Sequence, residues 1–365
     1  MKILFIHNYY TQFLQHFYKQ NKEIVSTLTF KEHKRKIYEE LFTASNFYSH
    51  AIRSLGHQAD DIIANDWVIQ KKWAMEQGIS ITTYPPIALN NRIGQQIFLH
   101  SWMDKIVELQ IKAYRPDIVY FLDIESFSHN LLKRLKLGKY MIISQKASPI
   151  LSIENYKMAD MVISALPSMV EFFQKKHIQS NYVPLAFDPM VLRVIPRQKK
   201  IYTCSFVGGC SKIHTLGNKL LTDLSEQEHI DIFGYGKEFL PRFSMAYKTH
   251  HGEVWGKDMY KVLMQSAITI NRHVDIAGSY AANIRLFEAT GTGTMLLTDK
   301  KKNLGELFVE GKEAVAYSDV NDLVDKIRYY SSHEKERLRV AKAGQRRTLK
   351  DHTYIERMRQ FLKFL

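Results

Sequence analysis

The sequence predicts an α/β protein of two domains, each a doubly wound parallel sheet covered by helices. Three observations lead there. Short runs that are apolar on both faces alternate with helical patterns, the arrangement of parallel strands joined by helical crossovers. This series ends near residue 187 and restarts after residue 200. Between them, Phe187 to Lys200 holds Pro189, Pro196 and the run Arg197, Gln198, Lys199, Lys200, the composition of a linker. A chain of 365 residues suits two domains of ordinary size.

The first series opens with MKILFIH (1–7), a buried strand. It lacks the long apolar core and small-residue cleavage site of a signal peptide. Ala44 to Leu55 reads as a helix that Gly56 stops. Asp61 to Ala64 is a weak strand. From 95 to 113, Phe98, Trp102, Ile106, Leu109 and Ala113 recur three and four apart, one face of an amphipathic helix. Pro116 introduces the strand DIVYFLD (117–123), and KYMIIS (139–144), DMVISA (160–165) and Tyr182 to Ala186 follow. The second series has strands at YTCSFVG (202–208), HIDIFG (229–234), AITIN (267–271), TMLLTD (294–299) and EAVAYS (313–318). Asp319 to Leu365 reads as consecutive helices with a break at Gly344. The expected domains are 1–187 and 200–345, with a cleft between them.

Charge and composition narrow the function. Apolar residues make up 45% and charged residues 24%, a globular balance. The formal net charge is +14, which invites an anionic partner. Cys204 and Cys210 are the only cysteines, which excludes a disulfide framework and fits a reducing compartment. No apolar run approaches the ~20 residues of a spanning helix. A cytoplasmic protein is expected, soluble or attached peripherally to the inner face of a membrane. Lys31-Glu32-His33-Lys34-Arg35-Lys36 reads as a solvated helix face that also suits anionic lipid. No nucleic-acid module is recognisable, so no nucleic-acid partner is expected.

Ligands of doubly wound sheets bind beyond the carboxyl ends of the strands. Gly208 and Gly209 follow a strand and precede a helix carrying Leu216, Leu220 and Leu221, a place where backbone N–H groups meet phosphate. An ordinary tight turn explains the pair as well. Ser211 and Lys212 would add a hydroxyl and a charge. Gly291-Thr292-Gly293-Thr294 lies between a helix and the next strand, on the wrong side of the sheet, so it reads as a helix stop. No G-x-G-x-x-G follows a strand, which disfavours a nicotinamide dehydrogenase. His250 and His251 are adjacent, but no metal-binding spacing appears, and no metal or cofactor is expected. His7, Asn8, Asp123, Glu125 and Gln145 fall at strand ends of the first domain. Asp123 and Glu125 are a candidate catalytic pair, or simply polar strand-end residues.

The most informative stretch is Tyr280 to Ala289, YAANIRLFEA. Asn283 can cap a helix. Arg285 and Glu288, three apart, share a face. They read either as a surface ion pair or as an anion contact and a hydroxyl acceptor aimed at the cleft.

NIRLFEATGTGTMLLTD, LGELFVEGKEAVAYSDVNDLVDKIRYY and His352-Thr353-Tyr354 together resemble the CgeB-like glycosyltransferases, of the retaining two-Rossmann (GT-B) class. FVGG, IDIFGYG and Asn271-Arg272-His273 fit the same pattern. The resemblance covers the C-terminal half well and the N-terminal half loosely, through MKILFIHNYY and RPDIVYFLD. It implies a nucleotide-diphosphate sugar as donor substrate and a glycan, lipid-linked or protein acceptor. It implies that Glu288 binds the ribose hydroxyls, as the second Glu of a Glu-x(7)-Glu motif. Tyr280 stands where that motif has its first Glu, beside the donor sugar. Lys212, Lys219, Arg272 and Arg285 are the candidates for the diphosphate, with Asn271 and Asn283 beside them. The resembled fold also implies that the end of the chain, 346–365, packs back on the N-terminal domain. Retention is implied at the anomeric carbon, with the leaving phosphate itself able to take the acceptor proton. Two other functions stay open: a sugar-nucleotide epimerase or hydrolase on the same fold, and a non-catalytic nucleotide or glycan binder.

Overall fold

The computed structural model describes residues 1–80, 92–212 and 214–365, without the side chains of 92–101. The first sheet has β1 (Lys2–His7), β2 (Gln58–Ile63), β3 (Ile118–Phe121), β4 (Met141–Gln145), β5 (Met161–Ser164) and β6 (Ser180–Tyr182). Its order is β2-β1-β3-β4-β5-β6, and every pair is parallel. The second has β7 (Tyr202–Val207), β8 (Asp231–Phe233), β9 (Ser266–Asn271), β10 (Met295–Asp299) and β11 (Val315–Tyr317). Its order is β11-β10-β9-β7-β8, again parallel. The strand order reverses between β1 and β3 in one sheet and between β7 and β9 in the other. These are the switch points where doubly wound sheets bind ligands.

The chain divides into two compact units. One is Met1–Glu40, Ala44–Val183 and Phe361–Leu365; the other is Leu41–Thr43 and Pro184–Gln360. The strands are the unbroken apolar runs of the sequence. Ile3, Leu4, Phe5 and Ile6 are all at most 2% exposed, so both faces of β1 are covered. Each such side chain contributes roughly 1.5–3 kcal/mol by leaving water. In the second unit Ile268, Ile270, Met295 and Leu297 form the equivalent layer.

Several expected elements differ in detail. The helix placed at 44–55 begins only at Phe47. Positive φ at Leu41, Thr43 and Ser45 keeps the preceding segment out of a right-handed helix. The strand placed at Tyr182–Ala186 pairs only through Ser180–Tyr182. The long helix Arg92–Tyr114 buries Trp102 and Ile106 as expected, together with Met103, Asp104, Val107, Gln110 and Ile111, so the buried face is rotated away from Leu109 and Ala113. Leu109 is half-buried and Ala113 exposed, and the side chain of Phe98 lies outside the described residues.

The basic helix Phe30–Tyr38 starts with a capping box between Thr29 and Glu32. Its face is not wholly solvated, because His33 is fully buried and bonds the Tyr18 hydroxyl. Gly344 does not break the C-terminal helix, which runs unbroken from Glu334 to Asp351. A Cβ there would collide with the carbonyl oxygen of Glu313 and crowd Thr290, so glycine permits close packing. Among the described residues, no helix is long and apolar enough to cross a membrane.

Candidate functional site

At the switch point of the second sheet, the loop after β7 meets the end of β9. Gly208 and Gly209 begin that loop, and two glycines of the loop after β8 lie against it. A Cβ at Gly234 would overlap the Gly208 carbonyl oxygen, one at Gly236 that of Cys210, and one at Gly209 the Tyr235 ring. The Gly208 N–H donates to Phe233 O at 2.9 Å and the Cys210 N–H to Tyr235 O at 2.9 Å. The first purpose of these glycines is therefore loop-on-loop packing, and those two N–H groups are taken. His214 binds the same loop through Nδ1 to Gly209 O, 3.0 Å, and the helix Thr215–Ser225 starts beside it. Lys212 is exposed in this turn.

The helix Arg285–Gly291 supplies the charged centre. Asn283 precedes it, its Oδ1 accepting from Arg285 N at 2.9 Å and its Nδ2 donating to Arg272 O at 3.3 Å. Thus Asn283 both caps the helix and ties it to the end of β9. Arg285 donates through Nε to Val207 O at 3.0 Å and through Nη1 to Glu288 Oε2 at 2.6 Å. The other Glu288 oxygen accepts from the Tyr260 hydroxyl at 3.2 Å. Glu288 is 3% exposed, so this is a buried pair and not a surface one. Burial, then the Glu288 charge, push the Tyr260 hydroxyl well above its ordinary pKa, so it stays a donor.

Asn271 ends β9, with Nδ2 on Thr298 Oγ1 at 3.0 Å and its carbonyl accepting from Tyr317. Arg272 pairs with Asp275 at 2.9 Å, and its guanidinium lies over Gly217 in the first turn of the helix after the glycine loop. Arg285 thus reaches the end of β7 itself, while Arg272 stays at the end of β9, beside the helix that follows the glycine loop. Tyr280 is half-buried in the turn leading to the Arg285 helix.

Tyr260 carries no signal in the sequence, and neither does the pairing of His273 with Asp299. His273 is buried, its Nδ1 2.6 Å from Asp299 Oδ1. Burial works to raise the Asp299 carboxyl, but His273 and Lys301 outweigh it and hold it below its ordinary value. Asp299 was visible as a strand-end residue. Nothing local marks Tyr260, which enters from a separate helix.

The first sheet has its own opening at its switch point. A cavity of about 620 Å3 lies beyond the ends of β1, β2, β3 and β4, lined by Asn8, Asn65, Asp123, Glu125, Gln145 and Lys146 among others. Asp123 accepts from Glu125 N at 3.2 Å and from the Ser126 hydroxyl. Glu125 pairs with Lys146 and accepts from the backbone N–H of Leu151 and Ser152 at 2.7 and 3.0 Å. The two carboxylates are thus engaged in holding local structure. His7, at the end of β1, is bonded to Asp61 at 2.8 Å with both residues 1% exposed.

Comparison with known proteins gives three findings. Residues 214–363, the segment carrying Arg285 and Glu288, match a family described as glycosyl transferase-like. No curated protein matches the chain in sequence. Among solved structures, a sucrose-phosphate synthase from Thermosynechococcus elongatus aligns with TM-score 0.60 at 10% identity, over 100% of this chain and 98% of that one. The Anabaena protein HepE, solved with UDP-glucose, aligns with TM-score 0.61 at 11% identity over 100% of both chains. A Listeria monocytogenes protein described as a UDP-N-acetylglucosamine 2-epimerase aligns with TM-score 0.57 at 11% identity, over 99% and 94%. The chain therefore has the GT-B fold of two Rossmann-like domains, and its residues 214–363 are similar to the glycosyl transferase-like family.

Proposed function

We propose that this chain is a retaining, CgeB-like glycosyltransferase that moves a sugar from a nucleotide-diphosphate donor to a glycan or glycoconjugate acceptor. One observation carries the reading. In the glycosyl transferase-like segment, Arg285 pairs with Glu288 and reaches the end of β7, and Asn283 ties this helix to the backbone of Arg272 at the end of β9, the two strands that flank the switch point. A carboxylate has about four acceptor sites. Glu288 therefore keeps capacity for ribose hydroxyls while Arg285 and Tyr260 hold its orientation. Negative charge grows on the leaving diphosphate, and Arg272, Arg285 and Lys212 are the cations to stabilise it. Tyr280 would approach the donor sugar. The leaving phosphate takes the acceptor proton, so Asp123 and Glu125 are not required as bases.

The Listeria neighbour favours one second reading, a sugar-nucleotide epimerase. Product analysis by NMR after incubation with UDP-, GDP-, CDP- and dTDP-sugars separates the two. A new glycosidic bond of unchanged anomeric configuration is expected. An epimerised sugar nucleotide made without acceptor would replace this proposal with the second reading. The exposed Lys31 and Arg35 of the basic helix would attach the protein to anionic membranes. Co-sedimentation with anionic vesicles should then weaken as salt rises, and equal binding to neutral vesicles would remove that part.

A further inference from the structure

We infer that the cavity of the first sheet binds an uncharged saccharide unit and rejects phosphorylated or carboxylated sugars. The inference rests on the proposed function only in naming this saccharide as the acceptor. The cavity lies at the switch point between β1 and β3, where the geometry of the sheet places a ligand. The net charge of +14 would lead one to expect an anion there. The lining shows otherwise. Two carboxylates, Asp123 and Glu125, stand against one ammonium, Lys146, and that ammonium is already paired with Glu125 in a site where both side chains are at most 9% exposed. A phosphate entering here would meet an uncompensated Asp123 and no unpaired cation among the described lining residues.

The neutral groups suit hydroxyls. Asn8 Oδ1 is buried and has no hydrogen-bond partner among the described residues. A buried acceptor of this kind calls for a donor, and a sugar hydroxyl is one. Gln145 Oε1 accepts from the hydroxyls of Tyr48 and Tyr120 at 3.0 and 3.1 Å, which fixes the amide and leaves its N–H groups to donate to the ligand. Leu122 adds apolar wall for the C–H face of a pyranose. Donors, acceptors and an apolar surface without free positive charge are the complement of a neutral sugar.

The Glu125–Lys146 pair is the element that excludes anions. Glu125→Gln keeps the size and the carbonyl that accepts from Leu151 and Ser152, but leaves Lys146 unneutralised. The test is saturation-transfer NMR with calorimetry on the full chain, without donor. Glucose, maltotriose and N-acetylglucosamine are compared with glucose 1-phosphate, glucose 6-phosphate and glucuronate. The neutral sugars should bind at least tenfold more tightly than the anionic ones. In Glu125→Gln the preference should narrow or reverse. Anionic sugars binding the native chain as well as neutral ones, or no neutral sugar binding at millimolar concentration, would overturn the inference. An unchanged preference in a folded Glu125→Gln would also overturn it. If that variant does not fold, the native comparison alone decides. Because no donor is present, this test reads the inference alone; a chain that binds neutral sugar here yet forms no glycosidic bond once donor is supplied would remove the proposed function and leave this inference standing.

Discussion

Glu288 is the residue on which the proposed donor site turns. Its burial changes what a mutation does. On a surface, Glu288→Gln would cost the fold almost nothing. Here Arg285, 15% exposed at its side chain, would lose its partner in a largely dry site. We expect Glu288→Gln to weaken nucleotide binding by roughly 1.5–3 kcal/mol, the range for a hydrogen bond to a charged group. Its melting temperature should fall as well, since unpairing a buried charge costs up to about 3–5 kcal/mol. Calorimetry below the melting temperature reads the first effect apart from the second. Native affinity in the folded variant would make Glu288 a structural partner of Arg285 only. That Arg285 and Glu288 share a face was legible from their spacing. Tyr260 was not, because it lies 28 residues away and meets Glu288 only through the fold. The His7–Asp61 and His273–Asp299 pairs, 54 and 26 residues apart, were invisible for the same reason.

At the scale of elements, the packing of two helices holds that site in place. Arg285–Gly291 lies against Glu334–Asp351, with Thr290 Oγ1 2.6 Å from Thr348 Oγ1 and Gly344 at the closest approach. Two effects oppose each other in Gly344→Ala. Helix propensity favours alanine by ~1 kcal/mol. The Cβ, however, meets the rigid Glu313 carbonyl oxygen, and overpacking typically costs about 1–3 kcal/mol. We expect the clash to win, giving a net loss of up to about 2 kcal/mol in denaturant unfolding. A stabilised variant would mean that the segment carrying the Glu313 carbonyl gives way easily. The strands themselves were readable in sequence because each is an apolar run buried on both faces. Gly344 was misread because its reason is a backbone atom 31 residues away, as the numbers 313 and 344 give. Likewise, the glycines at 208 and 209 were legible as a turn, but their partners Gly234 and Gly236 reveal themselves only in space.

At the scale of the molecule, the two units should respond differently to acid. In the second unit, burial, aided by Lys237 and Arg357 respectively, holds His250 and His352 down at about 4. An unfolded histidine titrates near 6.5. Between about pH 6.5 and 4 the unfolded chain therefore binds more protons, and this unit's stability is lost as pH falls through that window. In the first unit His33, lowered to about 4 by burial and Lys72, acts the same way. Asp66, raised by burial to about 6, opposes it, since its folded form keeps a proton that the unfolded form releases. The first unit should thus change little over this range while the second weakens. Hydrogen exchange at pH 7 and pH 5, corrected for intrinsic rates, should show loss of protection in the strands β7 to β11 before β1 to β6. Equal loss in both would contradict the assignment. The central claim, glycosyl transfer, concerns the whole chain and is tested most directly by nucleotide release from the donor sugar with and without saccharide acceptor. We predict release that depends on the acceptor and rises with its concentration. Tight nucleotide binding with no release under either condition, or release at the same rate without acceptor, would contradict it.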